Sequence, residues 1–250
     1  MKTTFRGGRI GSAAHNDRSY PGGRRTEEVR ILVRDGNRGR ALGSTERLED
    51  LEMKFYRERY KASTEAQNAR NRAARHPERC KTTDDLYRGC RTKPLEIILQ
   101  IGNRCDHPDP EIFTRALNSF TSVFREKYGG NCQMLSMSLH GDETTPHVHL
   151  RVIFDIPGKN GPIINQAQAL RQMGVPLPDP TRPESRYNCR LQTWTEDCRE
   201  LWISACREQG LKIDNPQKCD RSHLSIRDYK AAAAAGEKER SRSLDRDLER

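Results

Sequence analysis

The stretch that decides the fold is His140-Gly-Asp-Glu-Thr-Thr-Pro-His-Val-His149, with Leu150-Arg-Val-Ile-Phe154 directly behind it. Three of the seven histidines fall within its ten residues. From His147 to Phe154 the chain alternates, Val148, Leu150, Val152 and Phe154 facing one way and His147, His149 and Arg151 the other, which is the period of a β-strand. The reading is a half-buried strand with two imidazoles on its polar face. Upstream, Met134-Leu-Ser-Met-Ser-Leu139 is a second strand-like run, and the polar, turn-rich segment from Gly141 to Pro146 joins the two as a hairpin loop. Closing that hairpin brings His140 near His147 and His149.

Three neutral imidazoles converging from adjacent strand ends make an open site for a divalent ion, with positions left for water or a substrate oxygen. Asp142 and Glu143 add carboxylates within reach. The competing reading, two histidines on a solvated strand face, accounts for an alternating pair but not for a third histidine and an Asp-Glu pair in the same hairpin. The spacing is that of a strand and differs from the helical His-Glu-x-x-His pattern.

Outward from the hairpin, Leu95-Glu-Ile-Ile-Leu-Gln-Ile101 is a further strand. Asp109-Pro110 supplies an N-cap and a first-turn proline for a helix carrying Phe113, Ala116, Leu117, Phe120 and Phe124 at helical spacing up to Gly129-Gly130. Strand, helix, strand, strand is most of a ferredoxin-like α+β unit with an antiparallel hairpin at its centre. A helix from Leu191 to Gln209 follows, with Trp194, Cys198, Leu201, Trp202 and Ala205 inward and Gly210 beyond its end. The two tryptophans read as core rather than as platforms for bases.

On the N-terminal side, residues 1–43 are rich in Gly and Arg and read as a basic arm that adds little to a core, apart from the short strand candidate Val29-Arg-Ile-Leu-Val33. Residues 45–79 hold a charged helix with a narrow apolar stripe of Leu48, Leu51, Phe55 and Tyr60, ended by His76-Pro77. It reads as a solvated helix docked by one face; its arginines lying along DNA is the alternative. Residues 231–250 form a charge-alternating helical tail, compatible with a short protein or with a piece of a longer one.

The net charge is +10, and residues 1–91 carry 22 Lys and Arg against 13 Asp and Glu, nine of those ten charges. Such a half binds a polyanion by releasing its counterions. Eight cysteines are spread without a Cys-x-x-Cys pair, so neither a zinc ribbon nor a compact disulfide framework is indicated. The N-terminus lacks an apolar export core, and no run approaches the roughly 18 apolar residues of a membrane span. A cytoplasmic protein is expected.

The pattern His-x-Asp-Glu-x-Thr-Pro-His-x-His resembles the metal motif of the Mob/Pre family of plasmid mobilisation relaxases, within the wider group of His-hydrophobic-His (HUH) nucleases. Gly11-Ser-Ala-Ala-His-Asn-Asp-Arg18 is similar to the family's N-terminal His-Asn-x-Arg motif, and His223-Leu-Ser-Ile-Arg-Asp-Tyr-Lys230 to the stretch that closes its catalytic domain. The three lie in the family's order and bracket residues 11–230, while the family's Asn-aromatic-x-Leu motif does not occur here. The resemblance implies an α+β fold, a palm with a central antiparallel sheet, flanking helices and a basic N-terminal arm, with residues 1–230 as the relaxase domain. It also implies a Mn²⁺ or Mg²⁺ ion on His140, His147 and His149.

By the same resemblance the enzyme nicks one DNA strand at a transfer origin, stays attached to the 5′-phosphate and rejoins the strand, supporting conjugative mobilisation. The resemblance makes His15 the nucleophile and Glu143 the carboxylate that orients it and accepts its proton. Asn16, Arg18, Arg24 and Arg25 of the basic arm are the expected DNA contacts, Arg18 with a bidentate grip on a phosphate. The partners the resemblance implies are single-stranded origin DNA and accessory mobilisation or coupling proteins. Tyr20 is the alternative nucleophile, as in most HUH enzymes. Two other classes fit parts of the pattern: a replication initiator using tyrosine, and a non-catalytic DNA-binding protein with a structural metal. The second lacks a cysteine-type fourth ligand near the hairpin, which a closed structural zinc site normally has.

Overall fold

The computed structural model describes residues 1–8, 12–21, 47–103, 105–141, 143 and 145–214, together with the backbone of 29–34. Met1–Asp214 forms one compact unit. Arg24, Arg25, the stretch His223–Lys230 and the helical tail expected over 231–250 lie outside the described residues.

Its frame is a sheet in the order β1(Thr3–Gly8), β3(Leu95–Ile101), β5(His147–Ile156), β4(Cys132–His140), β2(Val29–Arg34), with the two-residue β6(Ile163–Ile164) added at the end of β5. Every pairing is antiparallel. β3 and β4 therefore run parallel on either side of β5, and helix α4(Pro110–Tyr128) makes the crossover between them. This is the expected α+β unit.

The α4 start is built as its sequence indicates. Asp109 accepts a hydrogen bond from Glu111 N, Pro110 occupies the first turn, and all five spaced apolar residues are buried. Helix α6(Arg190–Glu208) packs beside it, bringing Trp194 and Trp202 into edge-to-face contact with Phe124 and Phe120. Gly210 follows with φ +77°, the left-handed conformation that glycine adopts without a Cβ clash. Together α4 and α6 cover the face of the sheet carrying Ile97, Leu99, Val148, Leu150, Val152 and Phe154.

The opposite face is covered too. Helix α2(Leu48–Ala73) lays Met53, Tyr56 and Tyr60 on Leu135 and Ile153, with Tyr87 of helix α3(Thr83–Arg88) alongside. The strand with the histidines is consequently buried on both sides rather than half-buried: His149 and Arg151 are as enclosed as Leu150. The apolar stripe of α2 also differs in detail, because Tyr56 and Glu52 are buried while Phe55 is only partly so.

The N-terminal arm requires a correction. Residues 3–8 are an edge strand paired with Glu96–Ile101 of β3, and Phe5 is buried against Phe120. Glycine and arginine alternate with the few core contacts there, so the composition of an arm conceals a strand. The short helix α1(Ala13–Asn16) follows, with Ala13 and Asn16 buried. Helix α5(Gln166–Gln172) and α3 are additional elements, each only six or seven residues long.

One irregularity positions the site. The β4–β5 register shifts between Met134 and Ser136. Met134, Met137 and Leu139 pack on the α4 and α6 side, whereas Leu135 packs under α2 and Ser136 reaches Glu52 of α2. A bulge places two successive side chains on one face and reverses the alternation beyond it. It sends His140 to the same face as its cross-strand partner His147 and as His149.

Candidate active site

His140, His147 and His149 do converge. Their ring centroids lie 5.1 Å (140 to 147), 4.6 Å (140 to 149) and 5.0 Å (147 to 149) apart. Each has one nitrogen committed to an oxygen acceptor: His140 Nε2 to the Asn16 carbonyl at 3.0 Å, His147 Nδ1 to the Thr145 carbonyl at 3.0 Å, and His149 Nδ1 to Glu96 Oε1 at 3.1 Å. An acceptor of that kind takes the N–H and so leaves the lone pair on the other nitrogen of the ring.

Those other nitrogens are arranged as ligands. His147 Nε2 and His149 Nε2 are 3.1 Å apart, an approach that requires either a shared proton or a metal ion between the two nitrogens. His140 Nδ1 is buried with no hydrogen-bond partner among the described residues. The three histidines therefore fit a divalent ion, and two overlapping groups have ligand atoms within 4.8 Å of one another: His15 with His140 and His149, and Glu143 with His140 and His147. Burial lowers the pKa of His140 to about 4 and that of His147 also falls, for the same first cause. Both stay neutral, as ligands must.

The segment His15-Asn16-Asp17-Arg18 sits over this cluster, and three of its four side chains are fastened to different elements. Asn16 donates to Glu96 Oε2 of β3 at 2.9 Å, Asp17 accepts from Leu48 N at the start of α2 at 2.7 Å, and Arg18 reaches Glu143 of the hairpin loop at 2.7 Å. Arg18 has φ +56°, a conformation costly by about 1 kcal/mol or more for a residue with a side chain, and the pair with Glu143 helps to hold it there. His15 is the exposed member. Its ring lies 5.5 Å from His140 and 5.3 Å from His149, and Tyr20, 41% exposed, stacks on it at 6.2 Å with the planes 14° apart. Partial burial, with His149 and Arg18 nearby, lowers the pKa of His15 despite Glu143 and Glu96.

Glu143 is 43% exposed and stands 3.7 Å from His140 Nδ1 and 3.9 Å from His147 Nε2. Burial opposes its charge, yet the Arg18 hydrogen bond and His147 bring its pKa below the usual value. Asn16 and Arg18, which are expected to touch DNA, are 0% and 6% exposed in the absence of DNA and are engaged with Glu96 and Glu143.

Sequence reasoning missed the layer beneath. Glu96, Arg151 and Glu52 are all buried. Arg151 donates through Nη1 to Glu96 Oε2 at 3.1 Å and through Nε to both oxygens of Glu52 at 2.9 and 3.1 Å. Ser136 and Tyr87 complete the shell of Glu52 at 2.6 and 2.8 Å. Burial opposes ionisation of Glu96, but His149, Asn16 and Arg151 prevail and bring it down to about 2. As an anion it accepts from His149 Nδ1 and so fixes the orientation of that imidazole.

No protein-family model matches the sequence, and no curated protein does. The fold, however, has relatives among solved structures. One is the MobM relaxase domain (MOBV; Mob_Pre) bound to plasmid pMV158 oriT DNA of 22 nucleotides, Mn-bound at pH 5.5, with a TM-score of 0.52 and 17% identity over 93% of this chain and 100% of that one. This is a relaxase fold. The same MobM domain on oriT DNA with a 3′-thiophosphate, Mn-bound at pH 6.8, superimposes with a TM-score of 0.53 and 16% identity over 93% of this chain and 99% of that one. The likeness in fold extends over 93% of this chain and is not confined to the histidine hairpin.

Proposed function

We propose that this protein is a metal-dependent DNA relaxase of the Mob/Pre type, which nicks one strand at the transfer origin of a plasmid or mobile element and rejoins it. The observation that carries the reading is His15 standing over three histidines whose outer nitrogens are all held by oxygen acceptors. The relaxase fold and the Mn and oriT DNA named for its structural relatives support it, as does the +10 net charge.

His140, His147 and His149 would hold the divalent ion, with Mn²⁺ or Mg²⁺ as candidates. When bound, such an ion neutralises the scissile phosphate and polarises its P–O bond. His15, neutral at working pH, attacks the phosphorus; a nitrogen–phosphorus bond forms as the bond to the 3′-oxygen breaks. The released 3′-oxygen takes up a proton to leave a 3′-hydroxyl, and the 5′-phosphate remains on His15. Glu143 receives the proton lost from the imidazole. The covalent link conserves the energy of the broken bond, so attack by a 3′-hydroxyl reseals the strand without ATP.

The test is a supercoiled plasmid carrying a mobilisation origin, incubated with the protein and Mn²⁺ and run on a gel under denaturing conditions. Conversion to the open circle, with a single strand-specific break and none in EDTA, is the expected result. Cleavage confined to a replication origin would favour an initiator. DNA binding that is indifferent to chelation, with no cleavage on any origin, would favour a structural metal.

A further inference from the structure

The polar contacts around the site form a closed circuit that runs through α2. Asn16 meets Glu96, Glu96 meets Arg151 and Arg151 meets Glu52. One helical turn earlier on α2, Leu48 N donates to Asp17, which is next to Asn16 in the chain and so closes the loop. Each link is 2.7–3.1 Å long, and Asn16, Asp17, Glu52, Glu96 and Arg151 are all buried.

Two features show that the helix is built around this circuit. Arg47, at the N-cap position of α2, makes no side-chain cap, and the acceptor for the first helical N–H comes from Asp17, 31 residues away in sequence. A carboxylate there also meets the positive end of the helix dipole. Glu52, in turn, is a buried acid on an otherwise apolar helix face, and its two oxygens are occupied by Arg151, Ser136 and Tyr87.

We propose that Asp17 and Glu52 are positioning residues: through them α2 acts as a beam, Asp17 fixing the height of His15 over the cluster and Glu52, through Arg151 and Glu96, fixing the orientation of His149. The charged helix thereby sets the distance between nucleophile and metal ligands. The proposal rests on the relaxase reading for the Asp17 arm only, because orientation of His149 is measurable as metal affinity in the absence of DNA.

The test combines Mn²⁺ titration with single-turnover adduct formation on origin single strands, at saturating metal and DNA. In Asp17→Ala the segment bearing His15 is released, and the single-turnover rate should fall about 10- to 100-fold, the scale of a misplacement near 1 Å, while Mn²⁺ affinity stays within about twofold of wild type. Asp17→Asn keeps an oxygen for Leu48 N and should restore most of the rate. Asp17→Glu, which keeps the charge but displaces the segment by a methylene, should fall between and guards against Asp17→Ala failing to fold. Glu52→Gln should weaken Mn²⁺ binding by about tenfold, the low end for an outer-shell partner.

A folded Asp17→Ala with the wild-type rate, or Asp17→Asn as slow as Asp17→Ala, would overturn the first arm. A folded Glu52→Gln with wild-type Mn²⁺ affinity would overturn the second. Failure of the wild type itself to form an adduct would retire the relaxase reading and with it the Asp17 arm, leaving the second arm to stand or fall on its metal titration.

Discussion

Replacing Glu96 by glutamine isolates the charge beneath the histidine cluster. In the folded protein burial disfavours this carboxylate, and His149, Asn16 and Arg151 together overcome burial to lower its pKa from 4.5 to about 2. At roughly 1.4 kcal/mol for each tenfold change in proton affinity, that difference corresponds to about 3 kcal/mol of folding stability. A pKa depressed by folding contributes fully above the unfolded value and is lost as the carboxyl protonates, so the window runs from pH 4.5 down to about 2. Glutamine is neutral throughout and lacks this dependence. Urea denaturation of the metal-free proteins should therefore show Glu96→Gln less stable by about 3 kcal/mol at neutral pH, with the gap closing as the pH approaches 2. The same variant should bind Mn²⁺ about 10- to 100-fold more weakly, because His149 loses its anionic acceptor. A stability gap that is the same at pH 3 as at pH 7 would refute the assignment of Glu96 as the charge held by this network.

His147→Ala should abolish tight Mn²⁺ binding, whereas His15→Ala should leave it within about twofold; calorimetric titration decides whether the ion is held by the hairpin histidines or by the group that includes His15. The adduct-forming rate should keep its acid limb below pH 6.5, because a lowered pKa leaves His15 neutral and nucleophilic in more acidic solution; a limb above pH 6.5 in a pH–rate profile would contradict this. Phe5→Ala should destabilise the protein by about 3–5 kcal/mol in denaturant titration, as removal of a buried phenylalanine does, while a surface-like loss below about 0.5 kcal/mol would mean that the N-terminal residues are an arm after all.

The parts of the fold that were legible share a clean period. β5, α4 and α6 present apolar residues at spacings of two or of three and four, and proline, aspartate or glycine at their ends; the structure places them within a residue or two of their expected limits. β1 was hidden because an edge strand needs only one core residue, Phe5, and its neighbours are Thr, Arg and Gly. The hairpin announced three of the site's residues, since histidines are rare enough for their spacing to carry information.

The charged layer beneath was illegible for a different reason. Glu96 and Arg151 occupy the polar positions of alternating strands, and Glu52 is one acid among several on a charged helix. Nothing local separates them from solvated residues until α2 covers that face. Local signals also did not reveal the bulge after Met134, although it decides which way His140 faces. The resemblance singles out Asn16 and Arg18, while their burial follows from tertiary contacts with Glu96 and Glu143 that no local pattern encodes.

The chemistry of the covalent link separates histidine from tyrosine as the attacking group. The protein is incubated with labelled single-stranded origin DNA and Mn²⁺, with parallel reactions in EDTA and with His15→Ala and Tyr20→Phe. The adduct is isolated on a denaturing gel, treated with acid and mapped by mass spectrometry. The expected product is a metal-dependent, acid-labile phosphoramidate on His15 that persists in Tyr20→Phe. An acid-stable adduct that survives His15→Ala and disappears in Tyr20→Phe would contradict it.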